Sequence, residues 1–216
     1  MIEKLTPYRH IIWDWNGTLL NDLDLTLKAI HSQVKKFNLD MPTKDEHRQN
    51  FGFPIQDYYK RIGFDLDNNC FKKIADEFVE EYFEHFHTAE LFDGTKKLLE
   101  ELKSIGKLQS ILSASFQEHL DYALKQHEIG HFFENIFGIH HHLADSKVQR
   151  GLELIEKSHI PKNETLLVGD TDHDLEVGKE MGVEVLLVAD GHQSYERLKE
   201  IHDNVLETRM INNGDL

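Results

Sequence analysis

Five short apolar runs, at residues 10–15, 109–113, 135–139, 165–168 and 183–188, set the terms on which this chain can fold. Each is too short for an ordinary helix and is apolar nearly throughout, not at alternate positions. That pattern suits strands covered on both faces, as in a parallel sheet. Helical patterns separate the last four runs. Residues 116–128 put Leu120, Leu124 and His127 on one face, residues 148–157 carry Leu152 and Ile155, and residues 175–181 form a third. Strands alternating with helices of this size predict an α/β fold with right-handed crossovers and helices on both faces of the sheet.

Residues 20–90 break the alternation and read as helix only. Leu23, Leu27, Ile30, Val34 and Phe37 recur at helical spacing over 22–38. Thr43-x-x-Glu46 has the form of a capping box, and Pro54 suits a first helical turn. Residues 68–87 carry Phe71, Ile74, Phe78 and Tyr82 on one stripe, widened by Val79, Phe83 and Phe86. An all-helical insert between the first and second strands predicts a cap domain over 20–90, with 1–19 and 91–216 forming the core.

The chain has 24 Lys and Arg against 39 Asp and Glu, a formal charge of −15. Such a surface repels nucleic acid and anionic membranes, so neither is expected as a partner. It also repels anionic substrates at long range, so a phosphate-binding role would need a local positive focus, most economically a bound cation. The single cysteine, Cys70, permits no intramolecular disulfide. No apolar run approaches the length of a membrane span, and the first residues lack the apolar stretch of a secretory signal. The expected location is cytoplasmic, and the expected assembly a monomer or homodimer.

The chemistry-bearing residues fall at the ends of the predicted strands. Asp14 closes the first, in Trp13-Asp14-Trp15-Asn16-Gly17-Thr18-Leu19, where it could be a nucleophile, a metal ligand or a helix cap. Gly169-Asp170-Thr171-Asp172-His173-Asp174 ends another strand in clustered acids. Carboxylates brought to one cleft repel one another unless a cation neutralises them, and oxygen ligands without cysteine favour Mg²⁺ over zinc. Ser113-Ala114-Ser115 offers a hydroxyl and main-chain N–H groups, expected at the start of a helix and suited to phosphate oxygens. Lys147 follows the next strand and could supply a fixed positive charge.

Together these segments resemble the four signature motifs of the haloacid dehalogenase superfamily, in that family's order and approximate spacing. The likeness runs from Asp14 to Asp174, and the helical insert falls at the family's usual cap position. The size and place of that cap resemble the phosphoglycolate phosphatase branch. The resemblance implies a Rossmann-like core and a Mg²⁺-dependent phosphate monoester hydrolase acting on a small phosphorylated metabolite. It implies that Asp14 attacks phosphorus to form an aspartyl-phosphate. Ser113 and the N–H of Ala114 would bind the phosphoryl group, and Lys147 would bridge that group and Asp14. Asp14, Asp170 and the main-chain carbonyl of Asn16 would hold the metal, with Asp174 a direct or water-bridged ligand. Residues 19–22 would form a flexible hinge to the cap, whose closure would exclude water and select the substrate.

One position departs from the pattern. Hydrolytic members of the family usually carry an acid–base Asp two residues after the nucleophile, and this chain has Asn16. An amide gives up no proton at neutral pH, and general acid–base help is worth about 10²–10⁴ in rate. Two alternatives follow. The first is a phosphonate hydrolase, which would need Lys44 or Lys60 to reach the cleft. The second is a catalytically weak protein that binds a phosphometabolite. Weaker signals have simpler readings: His140-His141-His142 as a solvated loop, His47 and Arg48 as exposed helix positions, and the aromatic stripe as cap core. His173 is open between acid–base work and a surface position, and Gly191-His192 is assigned no role.

Overall fold

The computed structural model of the chain describes residues 1–65, 68–140 and 146–208. The core strands are β1 (His10–Trp13), β4 (Leu108–Phe116), β5 (Asn135–Ile139), β6 (Thr165–Gly169), β7 (Glu184–Val188) and β8 (Val205–Leu206). They form one sheet in the order β5–β4–β1–β6–β7–β8, and every neighbouring pair is parallel. His10 pairs with Leu108 on one side and Thr165 on the other, so β1 is central and covered on both faces.

The apolar runs bury alternate residues into two separate cores, as the strand period of two requires. Ile11, Trp13, Leu166 and Val168 enter one, with Leu98, Leu99 and Leu102 of α6 (Thr95–Ser104) and Leu120 and Leu124 of α7 (Gln117–Gln126). Ile12 and Leu167 enter the other, with Leu154 of α8 (Lys147–Ser158), Val177 and Met181 of α9 (Asp172–Met181), and Leu198 of α10 (Tyr195–Ile201). Truncating a residue such as Leu167 to Ala would cost about 2–5 kcal/mol. Leu152 does not share in this packing. It is 44% exposed, and Leu154 is the buried leucine of α8. Gly151 explains the geometry: a Cβ there would lie 2.5 Å from Met181 Sδ, so the absent side chain lets α8 and α9 approach.

A two-stranded antiparallel ribbon, β2 (Leu20–Asn21) with β3 (Glu90–Leu91), leads out of the core and back. Between its strands lie α2 (Leu23–Lys36), α3 (Lys44–Asn50), α4 (Ile55–Arg61) and α5 (Asn68–Glu84). These helices have a core of their own, built on Ile30, Val34, Tyr58, Tyr59, Phe64 and Ile74. The Thr43–Glu46 capping box forms as the sequence predicts. Pro54 falls one residue earlier than expected, as the N-cap of α4. Strands β2, β3 and β8 and helices α6, α10 and the short α1 (Ile2–Leu5) are elements beyond those the sequence pattern predicts. No helix among the described residues is long and apolar enough to cross a membrane.

Candidate active site

All the predicted chemistry collects at the carboxyl edge of the sheet. The N–H of Asp14 donates to Val168 O at 2.8 Å, so its backbone is still fixed by the neighbouring strand. The chain then turns sharply, with Trp15 O accepting from the N–H groups of Thr18, Leu19 and Leu20. Gly17 makes this turn at φ +68°, and a Cβ there would lie 2.2 Å from Asp170 Oδ2. A Cβ on Gly191 would meet the same oxygen at the same distance. Two glycines thus let two loops close on the Asp170 carboxylate. Its oxygens accept from Thr18 Oγ1 (3.1 Å) and the N–H of His192 (2.6 Å).

Asp14, Asp170 and Asp174 are all buried, and each offers an oxygen within 4.8 Å of the others'. Lys147, the first residue of α8, donates to Asp14 and, at 2.5 Å, to Asp174. Burial lowers the Lys147 pKa, but the two carboxylates outweigh it and the ammonium stays charged. Asp14 is pushed the other way. Burial, reinforced by Asp174 and Asp170, pushes its carboxyl upward against the pull of Lys147, a penalty that a bound cation would relieve. Three acids share one ammonium, an all-oxygen donor set with surplus negative charge that fits a divalent cation.

Asp174 has a second task. Its Oδ2 accepts from the N–H of Asp170 (3.2 Å), the N–H of Thr171 (3.0 Å) and the Thr171 hydroxyl (2.7 Å). Both its oxygens are therefore engaged, one holding Lys147 and the other the loop that carries Asp170.

Ser113-Ala114-Ser115 does not begin a helix as expected. β4 runs on to Phe116 and α7 starts at Gln117, with the strand register shifting between Leu112 and Phe116. Trp13 pairs with Ile111, which places Ser113 at the same sheet edge as Asp14. Ser113 is buried, Ala114 is exposed, and Ser113 Oγ accepts from the N–H of Ser115 at 3.0 Å.

Asn16 is held on every side. Its Nδ2 donates to Asp22 Oδ2 (2.8 Å) and Tyr82 Oη (2.9 Å), and its Oδ1 accepts from Ser115 Oγ (2.8 Å). Asp22 also accepts from Tyr82 Oη (2.7 Å), the N–H of Gly17 (2.9 Å) and His192 Nε2 (3.1 Å). Burial opposes ionisation of Asp22, but His192 and the other donors hold its pKa at about 2. His192 responds in kind: burial lowers it, Asp22 raises it more, and its pKa stands at about 9. The residues expected to be a flexible hinge thus end in a buried, fully bonded carboxylate.

His47 and Arg48 are not idle surface positions. His47 is fully buried and contacts Tyr58 Oη through Nδ1 (2.8 Å) and His192 Nδ1 through Nε2 (3.2 Å). Burial, then the charge of His192, lowers its pKa to about 2, so it is neutral and can accept from protonated His192. Arg48 donates to the carbonyls of Gly191 (3.0 Å) and Asp190 (3.2 Å). Both side chains tie the helical insert to the loop after β7. The His173 ring packs against Phe53 of the insert, tilted by 35° with 4.6 Å between centroids, and meets Glu176 at 3.4 Å. His140 ends in a bend after β5, and His141 and His142 lie outside the described residues.

Residues 11–188 match the family of haloacid dehalogenase-like hydrolases, and the chain belongs to it. Among curated relatives, pyrophosphatase PpaX from Halalkalibacterium halodurans is 24% identical over 188 residues, covering 82% of each chain. A haloacid dehalogenase-like hydrolase from Streptococcus pneumoniae superposes with a TM-score of 0.78 at 22% identity, covering 93% of this chain and 94% of that one. A predicted phosphoglycolate phosphatase from Haemophilus somnus gives 0.72 at 23% identity, over 88% and 89%. At these identities the two structures speak to the fold alone.

Proposed function

We propose that this hydrolase is a Mg²⁺-dependent phosphate monoester phosphatase that works through an aspartyl-phosphate on Asp14. The observation that carries the proposal is the meeting of Asp14, Lys147, Asp170 and Asp174 at one sheet edge. A carboxylate nucleophile must approach an anionic ester, and phosphoryl transfer depends chiefly on positioning and charge stabilisation. Mg²⁺ held by Asp14, Asp170 and the Asn16 carbonyl, with Asp174 behind them, would supply the neutralising charge. Lys147 lies against Asp14 and can bridge nucleophile and phosphoryl group. Ser113 and the Ala114 N–H, at the end of β4, would take the remaining phosphoryl oxygens.

Residues 20–90 act in this reading as a cap that selects the substrate, a small phosphorylated metabolite. The phosphonate alternative is disfavoured because the lysines it would need are engaged elsewhere. Lys44 pairs with Asp24 at 2.6 Å and Lys60 with Asp57 at 3.0 Å, all four side chains being more than half exposed. A panel of phosphate monoesters assayed with Mg²⁺ and with excess chelator tests the proposal. Hydrolysis should be lost with the metal, and full activity in chelator would refute the metal's part.

A further inference from the structure

The loop after β7 touches both the helical insert and the segment that carries Asp170. On the insert side it is gripped by α3. Arg48 donates to the carbonyls of Gly191 and Asp190, and Gln49 Nε2 donates to Ser194 Oγ at 3.0 Å. On the core side the same loop supports two acids of the strand ending. The N–H of His192 donates to Asp170 Oδ2, and Gln193 Oε1 accepts from the N–H of Asp172 at 2.8 Å. With the Gly191 backbone packed directly on Asp170, a shift of the loop cannot leave that carboxylate undisturbed.

The His192 side chain joins the two sides. Its ring is 4% exposed and meets Asp22 Oδ1 at 3.1 Å and His47 Nε2 at 3.2 Å. Asp22 Oδ1 also accepts from the N–H of Gly17, the amide that follows the Asn16 carbonyl. Phe51 of the insert packs on the same imidazole, 5.1 Å away between centroids. One residue therefore meets the insert, the turn after β1 and the Asp170 carboxylate. Bulk alone does not explain a histidine here, because both ring nitrogens have partners. Groups that orient a metal-binding carboxylate from behind govern how tightly the metal is held.

Taking the metal to be bound as in the phosphatase reading, we infer that His192 is a positioning residue that couples seating of the insert to Mg²⁺ binding, with His47 as its contact on the insert. With α3 seated, His47 and Arg48 fix the loop, and the His192 N–H stays aimed at Asp170. With α3 lifted, the loop loses both contacts, and Asp170 is left with a donor of no fixed position. Linkage makes the effect reciprocal: a seated insert raises Mg²⁺ affinity, and bound Mg²⁺ holds the insert down.

Titration calorimetry with Mg²⁺ alone reads this coupling without turnover. His47→Phe keeps a ring against Phe51 and Tyr58 but has no nitrogen for His192. It should weaken Mg²⁺ binding by about tenfold or more, the usual effect of losing a supporting contact. His47→Gln, whose amide oxygen can accept from His192, should stay near the parent. Phe83→Ala loosens the insert elsewhere, at its contact with His119 of α7, and should weaken Mg²⁺ binding less than His47→Phe. An equal loss in the two would overturn the role of His192. The parent supplies a reading that needs no variant: Mg²⁺ should slow amide exchange in α3 by about tenfold through the same linkage. Exchange in α3 unmoved by Mg²⁺, or parental Mg²⁺ affinity in His47→Phe, would overturn the coupling alone. A parent that binds no Mg²⁺ would overturn the metal assignment itself, and the coupling with it.

Discussion

Asn16 Nδ2 lies 2.8 Å from Asp22 Oδ2, a contact that gives the amide a partner no ionised aspartate could serve. Asp22 can only accept, so the amide must face it with nitrogen, and Asn16 Oδ1 is then turned to the Ser115 hydroxyl. Asn16 joins the insert to the core in this way while leaving the site without its usual acid.

Replacing Asn16 by Asp would set two carboxylates side by side in a buried place. The variant should be less stable than the parent at pH 7 by about 1–3 kcal/mol, the scale of an unsatisfied buried group. Urea unfolding checks this, and an unchanged midpoint would show that the Asn16–Asp22 contact contributes nothing.

The absence of a carboxylate at position 16 should also shape the kinetics of the parent. Esters with acidic leaving groups, such as p-nitrophenyl phosphate, should outpace ethyl phosphate by about 10²-fold or more, since only the latter needs a proton on the departing oxygen. Near-equal kcat/KM values for the two esters, which report the step that expels the leaving group, would mean that another group supplies that proton.

Lys147 neutralises part of a three-acid cluster, so Lys147→Met should leave buried charge behind. Breaking such a pair typically costs about 3–5 kcal/mol. A divalent cation should recover more stability in the variant than in the parent. Thermal unfolding in Mg²⁺ and in chelator measures both, and equal stabilisation of the two proteins would contradict the shared-charge account.

His10 gives the fold a pH dependence away from the site. It is fully buried, its Nε2 meets Ser110 Oγ at 2.9 Å, and Nδ1 has no partner among the described residues. Burial lowers its pKa from 6.5 to about 4, so the unfolded chain binds this proton first as pH falls. Stability should drop between pH 6.5 and 4, by up to about 3 kcal/mol from this group. His10→Gln, which can still reach Ser110, should show a correspondingly shallower loss. An identical slope in urea midpoints would assign the effect to other histidines.

The core was legible because its strands are apolar on both faces and end in acids. Asp14, Lys147, Asp170 and Asp174 could be named from those endings, and the structure brings them together. The second layer was not legible. Asp22, His47, Tyr82 and His192 come from four separate stretches, and an isolated His or Tyr on a helix carries no sign that it will be buried against a partner far along the chain. Helix α6 carries Leu98, Leu99 and Leu102 at helical spacing, but its ten residues give that pattern few repeats by which to stand out. Ser113 was placed at a helix start because the bulge that prolongs β4 has no sequence signature as plain as a Gly or Pro.

The central claim is that Asp14 carries the phosphoryl group. The direct measurement is intact-mass and peptide mapping of protein quenched in acid during turnover of p-nitrophenyl phosphate with Mg²⁺. Slow release is expected where no carboxylate stands at position 16 to activate water, so a phosphorylated species should accumulate and map to Asp14. Asp14→Asn should fold, form no such species and turn nothing over. A phosphoryl group mapped to another residue, or substantial turnover by fresh Asp14→Asn, would contradict the account.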